Sequence, residues 1–433
     1  MDTAASVGVF FFPNRVRLGF DAREYTPLMV ERMVVAAAET RSFKRSAIVM
    51  KHVGGQPVSF KTIQRITSDV GSELGTRRDA SAKSPEALAK IPEDPPDLAV
   101  IETDGGRIHT REPGHGPGVH LNGEGWRETK NSCLIRAQRK TFDSDPQPDP
   151  PACFLDAKHV AKIAETSAVS TSLASEKASD TERQDDSELD LEAALDNDDW
   201  RPKRLVRTVV SSMACSRDFG RQVAREARRR RFYDAAAQVF LGDGLPWNWS
   251  IQKEHFPKAV PILDFTHVLS YLFLAAKAIH ADHEETAWSQ YVAWMTGCWR
   301  SEASQVIEEL DAWQCRLGLP AKDTPESDVR AVVATTLGYL RNNLDRMDYA
   351  NYRQSGYPVT TAWMESLVKE MNYRVKGSEM FWNDPTGAEA ILQVRAAGLS
   401  DDERLIRHLR QRPGSPFTRR PKPPSIASKT RKS

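Results

Sequence analysis

Three aspartates each follow a short apolar segment that predicts a β-strand. The segments are 98–103 before Asp104, 237–241 before the Gly-Asp-Gly that contains Asp243, and 260–263 before Asp264. Active groups collect at the C-terminal ends of strands in open α/β sheets, so these carboxylates are candidates for one site. Asp-Gly pairs are also common turn sequences, which leaves a purely structural interpretation open for Asp104 and Asp243.

A fourth carboxylate, Glu365, lies in a predicted helix that begins after Thr360-Thr361. Positions 361, 365, 368 and 372 share one helical face, which we expect to meet the sheet. A glutamate that faces a sheet from such a position is costly unless it is paired or bound to a metal.

Carboxylates in this pattern favour metal-dependent chemistry on phosphodiesters. In-line displacement needs both the attacking and the leaving oxygen stabilised, and two Mg²⁺ ions roughly 3.5–4 Å apart do this. Mg²⁺ takes carboxylate oxygens together with several waters. The sequence contains no Ser-His-Asp elbow, no GxxxxGK loop and no HExxH motif that would indicate a rival chemistry.

The elements that position these residues are predicted to be strands separated by helices. Gly105-Gly106 predicts a hairpin turn after the first strand, and a β-rich stretch over 126–136 is expected to pair back onto it. The chain has 433 residues, of which 40% are apolar, so we expect a sizeable core and two or three domains.

The N-terminal part predicts a DNA-binding helix pair. Helices are expected over 26–39, 42–52 and 60–70, with Gly54-Gly55 between the last two and Ser59 as an N-cap. Two short helices joined by a glycine turn are typical of a helix-turn-helix. The outer face of the third helix would present Lys61, Gln64 and Arg65, whose side chains can bond to phosphates and base edges. A small helical bundle with solvated charges is the alternative.

Charge is balanced in total but segregated along the chain. There are 60 Lys and Arg residues against 59 Asp and Glu residues, so a uniformly basic protein is excluded. Segment 174–200 carries eleven acids and two bases, and segment 201–231 carries eleven bases and two acids. Together with a Pro-rich stretch at 143–151, the acidic block predicts a mostly disordered linker over 143–200, with a short helix near 154–165. The basic end of the chain is expected to be disordered and either solubilising or phosphate-binding.

The expected compartment is reducing and aqueous. No stretch approaches the ~18 apolar residues that a membrane span needs, and the N-terminus has no basic region or cleavage site typical of a signal peptide. The five cysteines form no CxxC pair, so neither a zinc ribbon nor a disulfide framework is supported. We expect a cytoplasmic, nucleoid-associated protein without a membrane partner.

A string of motifs resembles one family. The motifs are ETDGGRIHTR with GWRETKNSCL, FLGDGLPWNW, ILDFTHVLSYL, NNLDRMDYANYRQSGYPV, MES and YRVKGSEMFW. In order and aromatic spacing this string is similar to that of bacterial insertion-sequence transposases of the DDE class, most of all the ISKra-type family, a relative of Mutator-like elements. The resemblance covers most of residues 40–400, apart from the acidic insertion.

The resemblance implies an α/β fold with an RNase H-like mixed sheet flanked by helices and interrupted by an all-α insertion. Together with the patterns described above, the expected units are a helical DNA-binding region with a helix-turn-helix (1–90), catalytic segments at 97–142, 201–269 and 357–400, the acidic linker (143–200), the α-helical insertion (270–356) and a basic disordered tail (401–433). The insertion is rich in tryptophan.

The resemblance also implies a site. Asp104, Asp243 and Glu365 would be the catalytic residues and would hold two Mg²⁺ ions, with Mn²⁺ as a substitute. Asp264 and His267 match a C/D-x-x-H signature and would support them; a structural histidine is the alternative for His267. Candidates for phosphate contacts are Arg228, Arg229, Arg230, Arg231, Lys369, Arg374 and Lys376; a solvated helix face is the alternative for the four arginines.

The implied activity is metal-dependent cleavage and transfer of DNA strands at the ends of an insertion sequence. The partners would be the terminal inverted repeats, target DNA and further copies of the chain. The sequence departs from the family at Thr360-Thr361-Ala362, where relatives usually carry Gly-Ser-Gly, at Glu379 in place of a more usual Gly, and at Ser270-Tyr271 in place of a Glu-His pair. The alternatives are therefore a catalytically impaired, sequence-specific DNA-binding protein descended from a transposase, or a metal-dependent nuclease of the same fold.

Overall fold

A five-stranded mixed sheet lies at the centre of the fold, in the spatial order β3-β2-β1-β4-β5. The strands are β1 (Leu98–His109), β2 (Trp126–Gln138), β3 (Lys203–Ser212), β4 (Ala237–Gly242) and β5 (Val260–Leu263). β2 runs antiparallel to β1 and β3, whereas β4 runs parallel to β1 and β5. The computed structural model describes residues 25–81, 92, 94–110, 126–171, 200–376, 381–382 and 385–412. The predicted α/β class, with a mixed sheet flanked by helices, is confirmed.

The apolar strands of the sequence occupy the middle of this sheet. All six residues of β4 and the first six of β1 are buried. Strands that are covered on both faces are expected to be continuously apolar, which is the pattern that both segments show. β4 and β5 end just before Asp243 and Asp264, as the sequence predicts.

The predicted turn at Gly105-Gly106 is wrong. β1 continues through both glycines to His109, and its antiparallel pairing with β2 joins Asp104 to Asn131 and Gly106 to Thr129. A Cβ at Gly106 would lie only 2.8 Å from Oγ1 of Thr129, so this glycine permits a close cross-strand contact. The pairing of the 126–136 stretch back onto the first strand is as predicted.

β3 is an element that the sequence analysis did not predict. It lies at the beginning of the basic segment 201–231, where Arg204 and Arg207 interrupt the apolar residues. Its last six residues are buried, and Val209 and Val210 belong to the core. The run of Val and Thr residues at 206–210 was the available signal, since these residue types favour strands.

Three N-terminal helices begin where the sequence predicts. They are α1 (Pro27–Glu39), α2 (Phe43–His52) and α3 (Phe60–Asp79), and their N-caps are Thr26, Ser42 and Ser59. The side chain of each cap accepts a hydrogen bond from the backbone of the first turn. α3 is longer than the predicted 60–70, because its second half carries Val70 and Leu74 into the core.

All-α segments make up most of the remaining chain. α4 (Ala157–Thr171) precedes β3, and α5 (Ser216–Arg229) and α6 (Pro246–His255) flank β4. The predicted helical insertion consists of α7 (Phe265–Ile279), α8 (Glu284–Trp299), α9 (Ala303–Leu317), α10 (Val329–Asn343) and α11 (Tyr349–Gln354). α12 (Ala362–Val375), α13 (Pro385–Gly398) and α14 (Arg404–Gln411) follow. None of the helices within the described residues is long and apolar enough to cross a membrane.

Part of the expected linker has a defined conformation instead. Asp145 forms an ion pair with the fully buried Arg353 of α11, and the guanidinium of Arg353 stacks 4.0 Å from the centroid of Trp299. The indole of Trp299 donates to the carbonyl of Gln147 at 2.9 Å. The Pro-rich stretch thus binds to the helical insertion through partners far away in sequence. The acidic block at 172–199 lies outside the described residues.

The expected disorder of the basic tail is also wrong for its first part. α14 packs against α1 and α13, and His408 contacts Glu73 at 2.9 Å. Arg404 is buried against Glu226. These acidic partners neutralise the basic residues, so the composition of the tail alone was misleading. Residues 413–433 lie outside the described residues.

Gly71 should be intolerant of a side chain, because α3 crosses α13 at this residue. A Cβ at Gly71 would lie 2.1 Å from the carbonyl oxygen of Ala390, whereas a Cβ at Gly75, one turn later, would meet only Cγ of Gln393 at 3.8 Å. Gly71→Ala should therefore destabilise the protein by about 1–3 kcal/mol or more. Gly75→Ala is the matched control and should be neutral or stabilising by up to about 1 kcal/mol. Urea unfolding measures both; equal stabilities of the two variants would contradict the close crossing.

Candidate active site

Asp104 and Asp243 lie side by side because of strand register. The parallel pairing of β1 with β4 ends at Thr103 and Gly242, and the two aspartates are the residues that follow. Burial, reinforced by the charge of Asp243, raises the pKa of Asp104 to about 7. Burial likewise raises the pKa of Asp243. Two carboxylates that are hard to ionise together form a place where positive charge is favoured.

Asp264 follows the next strand in the same way. The pairing of β4 with β5 ends at Gly242 and Leu263, so Asp264 lies at the same edge of the sheet as Asp243. It is fully buried and caps α7 by accepting from the backbone of Thr266. It also accepts from the hydroxyl of Thr266 and from the backbone N–H of Thr361 at 3.0 Å. Burial alone would raise its pKa, but these hydrogen bonds and the charge of His267 lower it.

Glu365 reaches this edge from α12. Its Oε1 lies 3.3 Å from the hydroxyl of Thr266, which places it next to Asp264. The bond between Asp264 and Thr361 holds the first turn of α12, from which Glu365 projects. Burial and the nearby charge of Asp264 raise the pKa of Glu365 to about 7. Its placement by a helix against the sheet is as the sequence analysis proposed.

His267 supplies positive charge to these acids. Its Nδ1 lies 2.7 Å from Oδ2 of Asp264, and its side chain is 16% exposed. Burial opposes protonation, but the hydrogen bond and charge of Asp264, with the charges of Asp243 and Asp104, raise the pKa of His267 to about 9. The imidazolium therefore acts on all three aspartates. We call Asp104, Asp243, Asp264, His267 and Glu365 the acidic site.

The fit of this site to a metal is uneven. Within the described ranges, no group of three or more His, Cys, Asp or Glu side chains is arranged to hold an ion, so Asp104, Asp243 and Glu365 do not form one set of three ligands. Asp104 and Asp243 nevertheless offer adjacent carboxylate oxygens, and Mg²⁺ is often bound by one or two carboxylates together with waters and substrate phosphates. The donor chemistry of this pair suits a hard divalent cation.

Several supporting residues escaped the sequence analysis. Asn248 of α6 donates to Oδ1 of Asp243 and accepts from the hydroxyl of Thr103 at 2.9 Å. The backbone N–H of Leu245 also donates to Oδ1 of Asp243, at 2.9 Å. Asn248 lies in the first turn of the helix that follows Asp243. A polar residue at this position, close after a candidate aspartate, is the sequence feature that points to it.

The predicted DNA-binding residues divide into exposed and internal ones. Lys61, Gln64 and Arg65 are all exposed on α3, as predicted. Lys369 is exposed one turn after Glu365, and Lys376 is partly buried after α12. Arg228 is exposed, and Arg231 is partly exposed while its Nε donates to Asp234 at 3.0 Å.

Arg229, Arg230 and Arg374 are internal, so the prediction that they contact phosphates is wrong for this arrangement. Arg229 and Arg230 are buried and both pair with Glu226. The guanidinium of Arg374 lies 4.6 Å from the centroid of Phe43 and 5.4 Å from that of Trp382, and its Nε donates to the carbonyl of Ala37 at 2.7 Å. These arginines join elements distant in sequence, which composition could not reveal.

Comparisons with known proteins gave no assignment. No protein-family model matches the chain, and no similar sequence was found among curated proteins.

Proposed function

We propose that the chain is a DDE transposase, which cleaves DNA strands at the ends of an insertion sequence and transfers them to target DNA. The observation that carries this proposal is the meeting of Asp104, within β1, with Asp243 and Asp264, which directly follow β4 and β5. A helix from much later in the chain brings Glu365 to Asp264. Separate segments supply these acids, which is typical of a built site rather than of a local turn.

The architecture supports this interpretation. β1, β2 and β3 form an antiparallel group, and β4 and β5 continue the sheet parallel to β1. This arrangement fits the RNase H-like sheet that the resemblance implies. The helices α7 to α11 come between β5 and the helix that bears Glu365, in the position of the implied all-α insertion. The three N-terminal helices fit a DNA-binding region with a helix-turn-helix.

The roles of the site residues follow from their surroundings. Asp104 and Asp243 would hold Mg²⁺, or Mn²⁺ in its place, and the bound ion would stabilise the charge that develops on phosphate oxygens. Glu365 has a pKa of about 7, so its carboxylate can accept a proton near neutral pH. His267 keeps Asp264 ionised, and Asp264 in turn orients Thr361 and the start of α12.

DNA would be bound first by α3. Lys61 and Arg65 are exposed cations on one side of this helix, with the amide of Gln64 between them. Such side chains bind phosphates and read purine edges. Joining two element ends requires more than one active subunit at the DNA, so we propose a homo-oligomer on DNA and a nucleoid-associated location in the cytoplasm.

A second candidate is a DNA-binding protein of the same descent without catalysis. The observation that favours it is that Glu365 is adjacent to Asp264 rather than part of a three-ligand set with Asp104 and Asp243. The branched Thr360 and Thr361, in place of smaller residues, stand directly before α12 and are both buried. A third candidate, a nuclease of this fold, would need neither α3 nor the long insertion.

The test is a cleavage assay with the full chain and a DNA duplex that carries the sequences flanking its reading frame. The transposase proposal expects nicks at fixed positions in Mg²⁺, none in EDTA, and none with Asp243→Ala. If the unaltered protein and Asp243→Ala both bind the duplex and neither cleaves it, the non-catalytic candidate replaces the proposal. Cleavage without positional preference would replace it with the nuclease.

The binding part of the proposal has its own variant. Lys61→Ala/Arg65→Ala should weaken binding to the duplex and reduce the slope of log affinity against log salt by about 2, since each cation releases roughly one counterion. The matched control is Lys258→Ala/Lys277→Ala, two exposed lysines away from α3. Fluorescence anisotropy over a salt series measures both; an unchanged slope for the α3 variant would rule out α3 as the docking helix.

A further inference from the structure

The helical insertion contacts the acidic site through one tyrosine. Tyr339 of α10 donates a hydrogen bond from its hydroxyl to the backbone carbonyl of Asp243 at 2.8 Å. The two residues are 96 positions apart in the chain. The turn that carries Asp243 is therefore held from outside the sheet, by an element that a simple sheet-edge site does not need.

The packing around the ring shows that this contact is closely fitted. Gly244 has φ of +97°, and a Cβ there would lie 2.6 Å from Cε2 of Tyr339. The ring also stacks on Tyr271 of α7, with centroids 3.9 Å apart and an interplanar angle of 16°. Gly244 and Tyr271 together define where the hydroxyl of Tyr339 can lie.

A second bond joins α10 to the same region. Asn343, one turn after Tyr339, accepts from the indole N–H of Trp249 at 3.1 Å and donates to the carbonyl of Tyr339 at 2.9 Å. Trp249 belongs to α6, the helix that begins just after the Asp243 turn. α10 thus holds both the turn at Asp243 and the helix that follows it.

We propose that Tyr339 is a positioning residue for Asp243, so that the helical insertion sets the geometry of the acidic site. The hydroxyl of Tyr339 determines where the Asp243 carbonyl lies, and the adjacent side-chain carboxylate accepts from Leu245 and Asn248 only while the turn keeps this conformation. The consequence for metal binding rests on the proposed function; the positioning of the turn does not.

The experiment compares Tyr339→Phe with Tyr291→Phe. Both substitutions remove one hydroxyl that donates to a backbone carbonyl, but the partner of Tyr291 is Phe154, at 3.1 Å, and not a residue of the acidic site. Hydrogen exchange followed by mass spectrometry on peptides covering 242–249 should be faster in Tyr339→Phe and unchanged in Tyr291→Phe. Calorimetric titration with Mn²⁺ should show about 10-fold weaker binding for Tyr339→Phe only, as is usual when a group that orients a ligand is lost.

Each outcome decides between the two proposals. Unchanged exchange over 242–249 in Tyr339→Phe, or an equal increase in Tyr291→Phe, would overturn the positioning role. Faster exchange together with weaker Mn²⁺ binding supports it. Faster exchange in Tyr339→Phe, while the unaltered protein binds no Mn²⁺, supports the positioning role and counts against metal-dependent catalysis.

Discussion

Asp104→Asn should make the metal-free protein more stable near pH 7. Burial and the charge of Asp243 raise the pKa of Asp104 to about 7, whereas an aspartate in an unfolded chain titrates near 3.9. The folded state therefore binds more protons than the unfolded state between these values, and the stability of the unaltered protein falls as pH rises through this window. Asparagine cannot ionise, so the variant should gain about 2 kcal/mol at pH 7.5 and little at pH 4.

Urea unfolding in EDTA at pH 4 and pH 7.5 measures this difference. The control is Asp282→Asn, which removes the same charge from an exposed position between α7 and α8. A variant at position 104 that is less stable than the unaltered protein at pH 7.5 would show that Asp104 is stabilised in its charged form, contrary to the raised pKa.

The same substitution should have the opposite effect on activity. If Asp104 holds the metal, Asp104→Asn should lower the rate of Mg²⁺-dependent cleavage by about 10²–10³-fold or more, as the loss of charge stabilisation at a reacting centre usually does. Gain of stability with loss of activity is typical of residues kept for function. A stabilised variant that retains full cleavage would remove Asp104 from the catalytic set.

Glu226→Gln should be among the most destabilising substitutions in the chain. The carboxylate of Glu226 is fully buried and pairs with Arg404 at 2.7 Å, Arg230 at 3.1 Å and Arg229 at 3.2 Å. Glutamine leaves Arg230 and Arg404 paired with Asp402, and leaves Arg229 with backbone carbonyls such as that of Ala80. Removal of one member of a buried ion pair costs about 3–5 kcal/mol, and we expect a loss of this size in the free energy of unfolding.

The pH dependence of stability should reveal the same ion pairs between Glu226 and its three arginines. Burial would raise the pKa of Glu226, but the charges of Arg404, Arg230 and Arg229 hold it well below its usual range. A depressed pKa means that the contribution of Glu226 to stability is present above about pH 4.3, its value in unfolded chains, and is lost as pH falls below that. Stability curves from pH 7 to pH 3 should therefore fall more steeply for the unaltered protein than for Glu226→Gln.

Glu308→Gln is the control for this pair of measurements. Glu308 is exposed on α9, and its neutralisation should change neither the stability at pH 7 nor the acid slope. If Glu226→Gln unfolds at the same urea concentration as the control, or loses stability between pH 7 and pH 3 as steeply as the unaltered protein, the ion pairs of Glu226 do not stabilise the fold.

Local sequence determined many of the elements. Thr26, Ser42 and Ser59 cap their helices because a side-chain oxygen satisfies backbone donors within three residues, which depends on nothing distant. The ends of β4 and β5 likewise follow from short apolar runs bounded by Gly and Asp. Since the aspartates come directly after these runs, the candidate residues Asp243 and Asp264 could be named from the sequence.

The register of the strands could not be inferred in the same way. Gly105-Gly106 has the composition of a turn, yet β2 continues the pairing and β1 runs on through both residues. Asp104 therefore lies within a strand and not at its tip. It meets Asp243 only because the parallel pairing with β4 stops one residue earlier.

Tertiary structure alone decided which charges are available and which acids meet. Arg229 and Arg230 have the composition of a phosphate-binding run, but Glu226 and the C-terminal Asp402 neutralise them inside the fold. Glu365 is placed by Thr266 and Thr361 next to Asp264, a pairing that no spacing in the chain encodes. The sequence by itself determined the helices, the apolar strands and the identity of the acids, because caps and hydrophobic runs act over a few residues. Arg230 also depends on Asp402, 172 positions away, and Glu365 on Thr266, 99 positions away, and only folding brings these partners together.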